Sequence, residues 1–274
     1  MSGKLFVVGT PIGNLGDFSP RAVETFEKVD FIAAEDTRVT VKLLNHFGIK
    51  KPLVSYHEHN RYEQSDYIIV RLEQGETCAL VTDAGMPAIS DPGVVLVDKC
   101  YKAGIAVESV PGPTALTTAL AISGMDIRRF TFEGFLTQNK TNRRTHLEEI
   151  KSEKRTMVFY EAPHKLPKML ADVYAALGDR RIAIIKELTK IYESIERTTL
   201  AEAVEKYKDA KLKGEFVIII EAAEETESEK TLEDAVDEAR DLMDNEEVSA
   251  NEASKRIAKI TGFKKGDIYR ELQN

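Results

Sequence analysis

The first 115 residues alternate short apolar runs with helical patterns, and this alternation constrains the fold more than any other feature of the 274-residue chain. Leu5–Val8, Phe31–Ala34, Val54–Tyr56, Cys78–Thr82 and Ala106–Val110 read as strands. Pro20–Val29, Thr40–Phe47, Glu63–Gln74 and Gly93–Ala103 read as helices between them. The punctuation agrees. Ser19 stands as an N-cap before Pro20, which suits a first helical position. Gly48, Gly75 and Gly104 follow the helix ends, where a left-handed residue closes the last turn. Such an order predicts a mainly parallel sheet with helices on both faces. A helix from Thr114 to Ile122 follows, and the pattern then restarts with strands at Arg129–Phe132, Thr156–Tyr160, Ile182–Glu187 and Phe216–Glu221. This reads as a second α/β domain with more strand mixing. Beyond Ala223 the composition turns polar. Glu224–Lys230 reads as a linker, and Leu232–Met243, Ala250–Ile260 and Asp267–Leu272 as helices. The expected organisation is an α/β domain over 1–116, a second over 117–223 and a helical appendage over 231–274.

Hydrophobic residues make up 42% and charged residues 31%, enough for a real core in a soluble chain. No apolar run approaches the roughly 20 residues that cross a bilayer, and the start of the chain is interrupted too early by Gly and Pro to read as a signal peptide. Cys78 and Cys100 have no CxxC spacing, so neither a disulfide framework nor a cysteine metal site is expected. Two core thiols in a reducing cytoplasm is the natural reading. The net charge of −8 seems to repel nucleic acid, but it is local. Residues 226–247 hold ten acidic and two basic residues, which accounts for all of it. Residues 137–155 and 248–274 each carry six basic residues against three acidic ones. Such patches, and not net charge, decide whether phosphates are attracted. A solvated helix face is the competing reading of each.

Three loops follow strands of the first half. Gly9-Thr10-Pro11-Ile12-Gly13-Asn14 comes first. It is neither GxGxxG nor GxxxxGK[ST], so neither a dinucleotide nor a nucleoside triphosphate is indicated, and an ordinary tight turn is the alternative. Val81–Pro92 is long, with glycines, prolines, Asp83 and Asp91. Asp91 reads either as a ligand contact or as the cap of the next helix. Val110-Pro111-Gly112-Pro113-Thr114-Ala115 is a strand–turn–helix step whose backbone donors suit polar ligand atoms. In open parallel sheets, ligands bind outside the carboxyl ends of the strands.

Together these loops resemble those of the tetrapyrrole methylase superfamily over residues 4–223. Gly9–Asn14 (GTPIGN), Ala34–Arg38 (AEDTR), His57–Arg61 (HEHNR), Thr82–Gly93 (TDAGMPAISDPG), Phe159–His164 (FYEAPH) and Lys186–Thr189 (KELT) narrow the likeness to the ribosomal RNA small subunit methyltransferase I family. The chain has Thr82-Asp83 where that family has Ser-Asp. The resemblance implies two α/β domains with S-adenosylmethionine in the cleft between them. It implies 2′-O-methylation of a cytidine in the decoding region of small-subunit rRNA, with the assembled subunit as partner and a homodimeric enzyme. It places cofactor contacts at Pro11, Asp83, Gly85, Met86, Pro87, Ile89, Thr114, Ala115, Tyr160 and Leu188. The segment Val248–Leu272 is similar to a helix-turn-helix-like appendage of longer members.

A ribose hydroxyl is a weak nucleophile, so the protein must align it and help remove its proton. Polar candidates are Glu35, Asp36, Arg38, His57, Glu58, His59, Glu161, His164, Lys186 and Glu187. Of these, Glu161 and Lys186 are the candidates for catalysis, and the residues alone do not name the base. Lys186 reads as a group that activates the hydroxyl or binds a phosphate, and equally as a structural ion-pair partner. His57-Glu58-His59 lacks helical metal-ligand spacing, so no metal is expected. RNA contacts are expected at Arg38, His57, Lys140, Arg143, Arg144, Lys264 and Lys265. Tyr56 and Tyr62 read either as base-stacking or as core residues. The acidic helix from Leu232 is expected to face away from RNA. Two other functions fit less well: methylation of a tetrapyrrole or other small molecule, and a non-catalytic RNA-binding assembly factor.

Overall fold

The computed structural model describes residues 3–223, 231–246 and 248–273. These fall in two compact units, one within Met1–Ala223 and one within Glu224–Asn274. The expected linker Glu224–Lys230, and Glu247 at the end of the acidic stretch, lie outside the described residues.

The first sheet is built as the alternation requires. Strands β1 (Lys4–Val8), β2 (Phe31–Ala34), β3 (Leu53–Ser55), β4 (Thr77–Val81) and β5 (Ala106–Val110) lie in the order β3-β2-β4-β1-β5. Every pair is parallel. Helices α1 (Pro20–Lys28) and α2 (Thr37–His46) cover one face through Phe26, Val29 and Leu44. Helices α3 (Arg61–Glu73) and α4 (Gly93–Lys102) cover the other through Ile68, Leu72 and Leu96. The central strands β2 and β4 are buried on both faces and are almost wholly apolar, whereas the edge strand β5 is largely exposed. Because β4, β1 and β5 are neighbours, their following loops emerge side by side at one sheet edge. This convergence places three sequence-distant motifs together.

Helix α5 (Ala115–Ser123) leaves the first sheet and packs on the second. That sheet holds β6 (Phe130–Phe135), β7 (Thr156–Glu161), β8 (Arg181–Lys186), β9 (Ser194–Thr199) and β10 (Phe216–Ile220), ordered β6-β7-β10-β8-β9. Only β6 and β7 run parallel, so the mixing expected here is present. Helices α6 (Lys140–Glu149), α7 (Leu166–Leu177) and α8 (Leu200–Tyr207) seal one face over Met157, Phe159 and Ile218. On the other face, Ile12 from the first-sheet turn joins Ala119, Leu120, Val158 and Ile185 in one core. The second unit is a bundle of α9 (Leu232–Glu246), α10 (Ala250–Thr261) and α11 (Lys265–Leu272) around Ala239, Ala253, Ile257 and Ile268.

Several expected elements change. Helix α2 begins at Thr37, not Thr40, because Asp36 caps it by accepting the Arg38 N–H at 2.8 Å. Strand β6 runs to Phe135, past a register shift between Phe132 and Gly134. Strand β9 was not expected. It is a polar, largely exposed edge strand with only β8 for a partner. Tyr56 is a core residue: it is 1% exposed, and its hydroxyl donates to the Pro92 carbonyl at 3.0 Å. Tyr62, 60% exposed, stays on the surface. Both cysteines are buried. Among the described residues, no helix is long and apolar enough to cross a membrane.

Candidate active site

The three first-sheet loops are tied to one another by backbone. Thr10 and Gly85 exchange N–H···O bonds of 3.0 and 3.1 Å, and the Thr10 hydroxyl donates to the Thr82 carbonyl at 3.2 Å. Gly9 donates to the Val110 carbonyl at 3.0 Å. A β-carbon on Gly9 would stand 2.7 Å from both the Gly112 α-carbon and the Met86 sulfur. Only two glycines let these backbones approach so closely. Gly85 has φ +88°, which an L side chain resists. The motifs GTPIGN, TDAGMPAISDPG and VPGPT therefore form one rigid rim.

Acidic side chains fix the central loop. Glu35 Oε2 accepts from the Thr82 hydroxyl at 2.5 Å and from the Asp83 N–H at 3.4 Å. Asp83 Oδ1 accepts from the Asp36 N–H at 3.0 Å. Burial pushes the Asp83 carboxyl above its ordinary value, the Glu35 charge adds to this, and the Asp36 N–H opposes it. Asp91 Oδ1 accepts from the N–H groups of Ala88 at 3.0 Å and Gly93 at 2.8 Å. Asp91 thus ties the loop to the first turn of α4, although Pro92 is the residue at the N-cap. Three non-glycine residues have left-handed backbone among the described residues, Ala88 (φ 65°), Glu187 (φ 52°) and Thr189 (φ 66°), and all lie in these cleft loops. Such strain persists only where the surroundings over-determine it. Lys190 holds the KELT loop by pairing with Glu187 at 2.8 Å and Glu215 at 2.9 Å, and it packs under Gly13.

The rim faces the ends of β7 and β8 across a cleft of about 610 Å³, within the ordinary range of small-molecule sites. Asp83, Gly85, Met86, Ile89, Thr114, Ala115, Tyr160 and Leu188 line it, as does Glu161. Pro11, Pro87 and Lys186 are not among its lining residues. Phe216 pairs in register with both Glu161 and Lys186, so it separates them on one face of the sheet. Glu161 is 2% exposed. Its Oε1 accepts the Ala162 N–H at 2.9 Å, and its Oε2 is buried with no partner. Burial raises its proton affinity above the ordinary glutamate value, opposed by the Ala162 N–H and by the charges of Lys165, Arg143 and His164.

The cleft also contains residues that sequence reasoning missed: Ile12, Ser90, Phe135, Glu215 and Val217. Phe135, 53% exposed, packs edge-on to Tyr160 with centroids 5.6 Å apart. The premature strand end at Phe132 hid it.

None of the seven expected RNA contacts lines the cleft. Arg38, Lys140, Arg144, Lys264 and Lys265 are exposed, and His57 is half-buried against His59 with ring centroids 5.9 Å apart. Arg38 is paired with Asp36 at 2.6 Å. Arg143 needs correction. Its side chain is 8% exposed and its Nε lies 2.7 Å from Asp172 Oδ2, so it faces the interior between α6 and α7 and not a phosphate.

The sequence profile described as Tetrapyrrole (Corrin/Porphyrin) Methylases matches residues 4–204. A diphthine synthase structure superposes with a TM-score of 0.62 at 15% identity, covering 81% of this chain and 90% of that one. Uroporphyrin-III-C-methyltransferase from Thermus thermophilus superposes with a TM-score of 0.57 at 16% identity, covering 79% and 94%. The profile places the chain among the tetrapyrrole methylases, and its relatives make it a methyltransferase. Proteins called ribosomal RNA small subunit methyltransferase I are nearer in sequence. That of Halalkalibacterium halodurans is 47% identical over 97% of this chain and 93% of its own length. That of Synechocystis is 44% identical over 97% and 96%. That of Thermotoga maritima is 46% identical over 81% of this chain and all of its own length, so the rest of this chain has no counterpart there. The chain belongs to the ribosomal RNA small subunit methyltransferase I family.

Proposed function

We propose that this methyltransferase uses S-adenosylmethionine to methylate the ribose 2′-oxygen of a cytidine in the decoding region of small-subunit (16S) rRNA, with Glu161 as the proton acceptor. The names of its relatives support the rRNA, and the family supports the cofactor. The assembled subunit as substrate and the homodimer are carried over from the family resemblance, and the cytoplasmic location from the reading of Cys78 and Cys100 as core thiols.

The single observation behind the catalytic assignment is the Glu161 carboxylate, buried in the cleft with one oxygen unpartnered. A buried polar atom without a partner is costly, and one in a cleft is a place for a ligand donor. The cleft chemistry fits the cofactor. Ile12, Ile185, Leu188 and Val217 offer an apolar wall for a purine, and Asp83 and Thr114 offer acceptors for ribose hydroxyls. The central-loop backbone suits the amino-acid end. Pro11 and Pro87 stand as contacts on the resemblance alone. When bound, S-adenosylmethionine supplies a methyl group on a sulfonium, which is electrophilic without further activation. Protein residues must then exclude water, hold the hydroxyl in line and take its proton. Glu161 Oε2 can take that proton. Lys186, off the cleft lining, is assigned an electrostatic role beside it.

The direction of the Glu161 shift sets the pH response. A carboxyl raised by burial stays protonated to a higher pH than usual. Its basic form appears as pH rises through that raised value, so methyl transfer falls on the acid side above the ordinary carboxylate range. Asp83→Ala is expected to weaken cofactor binding about tenfold to a hundredfold, as loss of a charged hydrogen bond does. Calorimetric titration checks this, and unchanged affinity removes Asp83 from the site.

Exposed Arg38, Lys140 and Arg144, with Lys264 and Lys265 of the second unit, are proposed to contact RNA phosphates. His57 is proposed beside them, and the acidic helix α9 is proposed to face away. Removing residues 231–274 is expected to weaken binding to small-subunit particles about tenfold or more, with a reduced salt dependence, and to leave cofactor affinity unchanged. The relative from Thermotoga maritima is matched over its full length by 81% of this chain. A filter-binding series with and without the appendage tests this, and equal affinities assign it a purely structural role.

A further inference from the structure

The end of β6 is arranged against what burial alone favours. Phe132 and Phe135 are an odd number of positions apart, so in a regular strand they point to opposite faces of the sheet. Here they share one face. Phe132 pairs with Val158 and Phe135 with Tyr160, because the register shifts between Phe132 and Gly134 and leaves Glu133 outside the ladder. Two features hold this bulge. Gly134 has φ +63°, which an L side chain resists. Glu133 turns to α6, with its Oε2 2.8 Å from His146 Nε2. A regular strand would send Phe135 into the core beneath α6 and α7 and leave Leu136 outside it. With the bulge, Leu136 is in that core and Phe135 is 53% exposed in the cleft. Bulges beside active sites re-aim side chains in this way.

Phe135, Tyr160, Val217 and Ile185 form one in-register row across β6, β7, β10 and β8, and all four line the cleft. Ile185 and Val217 are buried, Tyr160 is half-buried, and Phe135 stands at the open end. A purine seated on Val217 and Ile185 leaves Phe135 free, since two strand spacings, about 10 Å, separate it from Val217. The Phe135 ring meets Tyr160 edge-on, and Tyr160 is the residue before Glu161. Charge narrows the occupant. Among the described residues, no lysine or arginine lines the cleft, whereas Glu35, Asp83, Asp91, Glu161 and Glu215 do. Such a surface repels phosphate, so a nucleotide entering it must be held by its base. Unstacked RNA bases are held by stacking on aromatic side chains.

We infer that Phe135 is the platform on which the base of the acceptor nucleotide stacks while its ribose lies at Glu161. Stacking serves every base, so Phe135 positions the nucleotide and does not choose it. This role depends on the proposed RNA reaction, and wild-type transfer is measured beside the variants to keep the two apart.

Single-turnover methyl transfer to small-subunit particles, over a range of subsaturating particle concentrations, is read beside calorimetric titration of S-adenosylmethionine into the same full-length proteins. Phe135→Ala is expected to lower transfer by about fivefold to a hundredfold, the worth of one stacked base, with cofactor affinity unchanged. Phe135→Leu keeps an apolar side chain without a ring and is expected to fall with Phe135→Ala. Phe135→Tyr returns the ring and is expected to recover most of the loss. More than half of the side chain is already exposed, so the melting temperature is expected to move little. A lowered melting temperature with undiminished transfer is the mark of a merely structural ring and overturns the assignment. Weakened cofactor binding in Phe135→Ala seats the cofactor purine on this ring and also overturns it, as does Phe135→Leu with wild-type transfer. Wild-type protein that methylates no RNA fails the proposed function and removes the assignment with it. Wild-type protein that methylates RNA, beside an equally active Phe135→Ala, fails the assignment alone.

Discussion

Glu161→Gln is expected to lower single-turnover methyl transfer by about 10²–10⁴-fold, the usual contribution of a positioned base, with cofactor affinity unchanged within about twofold, below what one lost hydrogen bond costs. The substitution keeps the shape of the side chain and keeps an oxygen to accept the Ala162 N–H, now made at 2.9 Å. It removes the group that can take a proton. The acid limb of the pH profile is expected to vanish with it, because that limb reports ionisation of the one cleft carboxyl that is 2% exposed and half unpartnered. A variant with near-normal rate and an intact limb moves the base elsewhere, to Glu35, Asp83 or His164 along the same cleft.

The first sheet was legible because both of its faces are covered, so its strands are short apolar runs separated by capped helices. Phe31–Ala34, buried at every position, was placed to the residue for this reason, whereas Ala106–Val110 is an edge strand with three exposed positions. The second sheet was less so. β9 reads as SIERTT, with no apolar face to announce it, since an edge strand buries little. β6 looked shorter than it is because a bulge interrupts its alternation before Phe135. In the site, Asp83, Gly85 and Thr114 were placed by the family resemblance; the adjacency of β4, β1 and β5 that brings their loops into one rim is not given by chain order. Arg143 could not be read. Its neighbours Lys140 and Arg144 are exposed, but the helix turns about 100° per residue, and position 143 faces α7 while 144 faces solvent. Pro11 and Pro87 came from the same resemblance and lie outside the cleft lining, which is set by the direction in which each loop residue points.

Gly9→Val is expected to have the next largest effect. The first added carbon alone meets Met86 and Gly112 at 2.7 Å, and on the Gly112 side the obstacle is backbone. Overpacking of this kind costs about 1–3 kcal/mol, and displacement of a positioning loop by about 1 Å costs on the order of 10² in rate. The variant is therefore expected to melt several degrees lower, at about 2–4 °C per kcal/mol for a domain of this size. It is expected to lose most cofactor binding while the second sheet keeps its fold. Differential scanning fluorimetry with and without cofactor separates the two effects. Wild-type cofactor stabilisation in Gly9→Val shows that the three loops do not act as one rim.

The central claim, that this family member transfers a methyl group from S-adenosylmethionine to a ribose oxygen of small-subunit rRNA, has a direct measurement. Small-subunit particles and naked rRNA are incubated with the enzyme and methyl-labelled cofactor, and the RNA is then hydrolysed in alkali. A 2′-O-methyl group blocks cleavage at its own nucleotide, so the account predicts label in one alkali-resistant dinucleotide beginning with cytidine, absent with Glu161→Gln. Label released in mononucleotides, or no label in any RNA from an enzyme that binds the cofactor tightly, contradicts it.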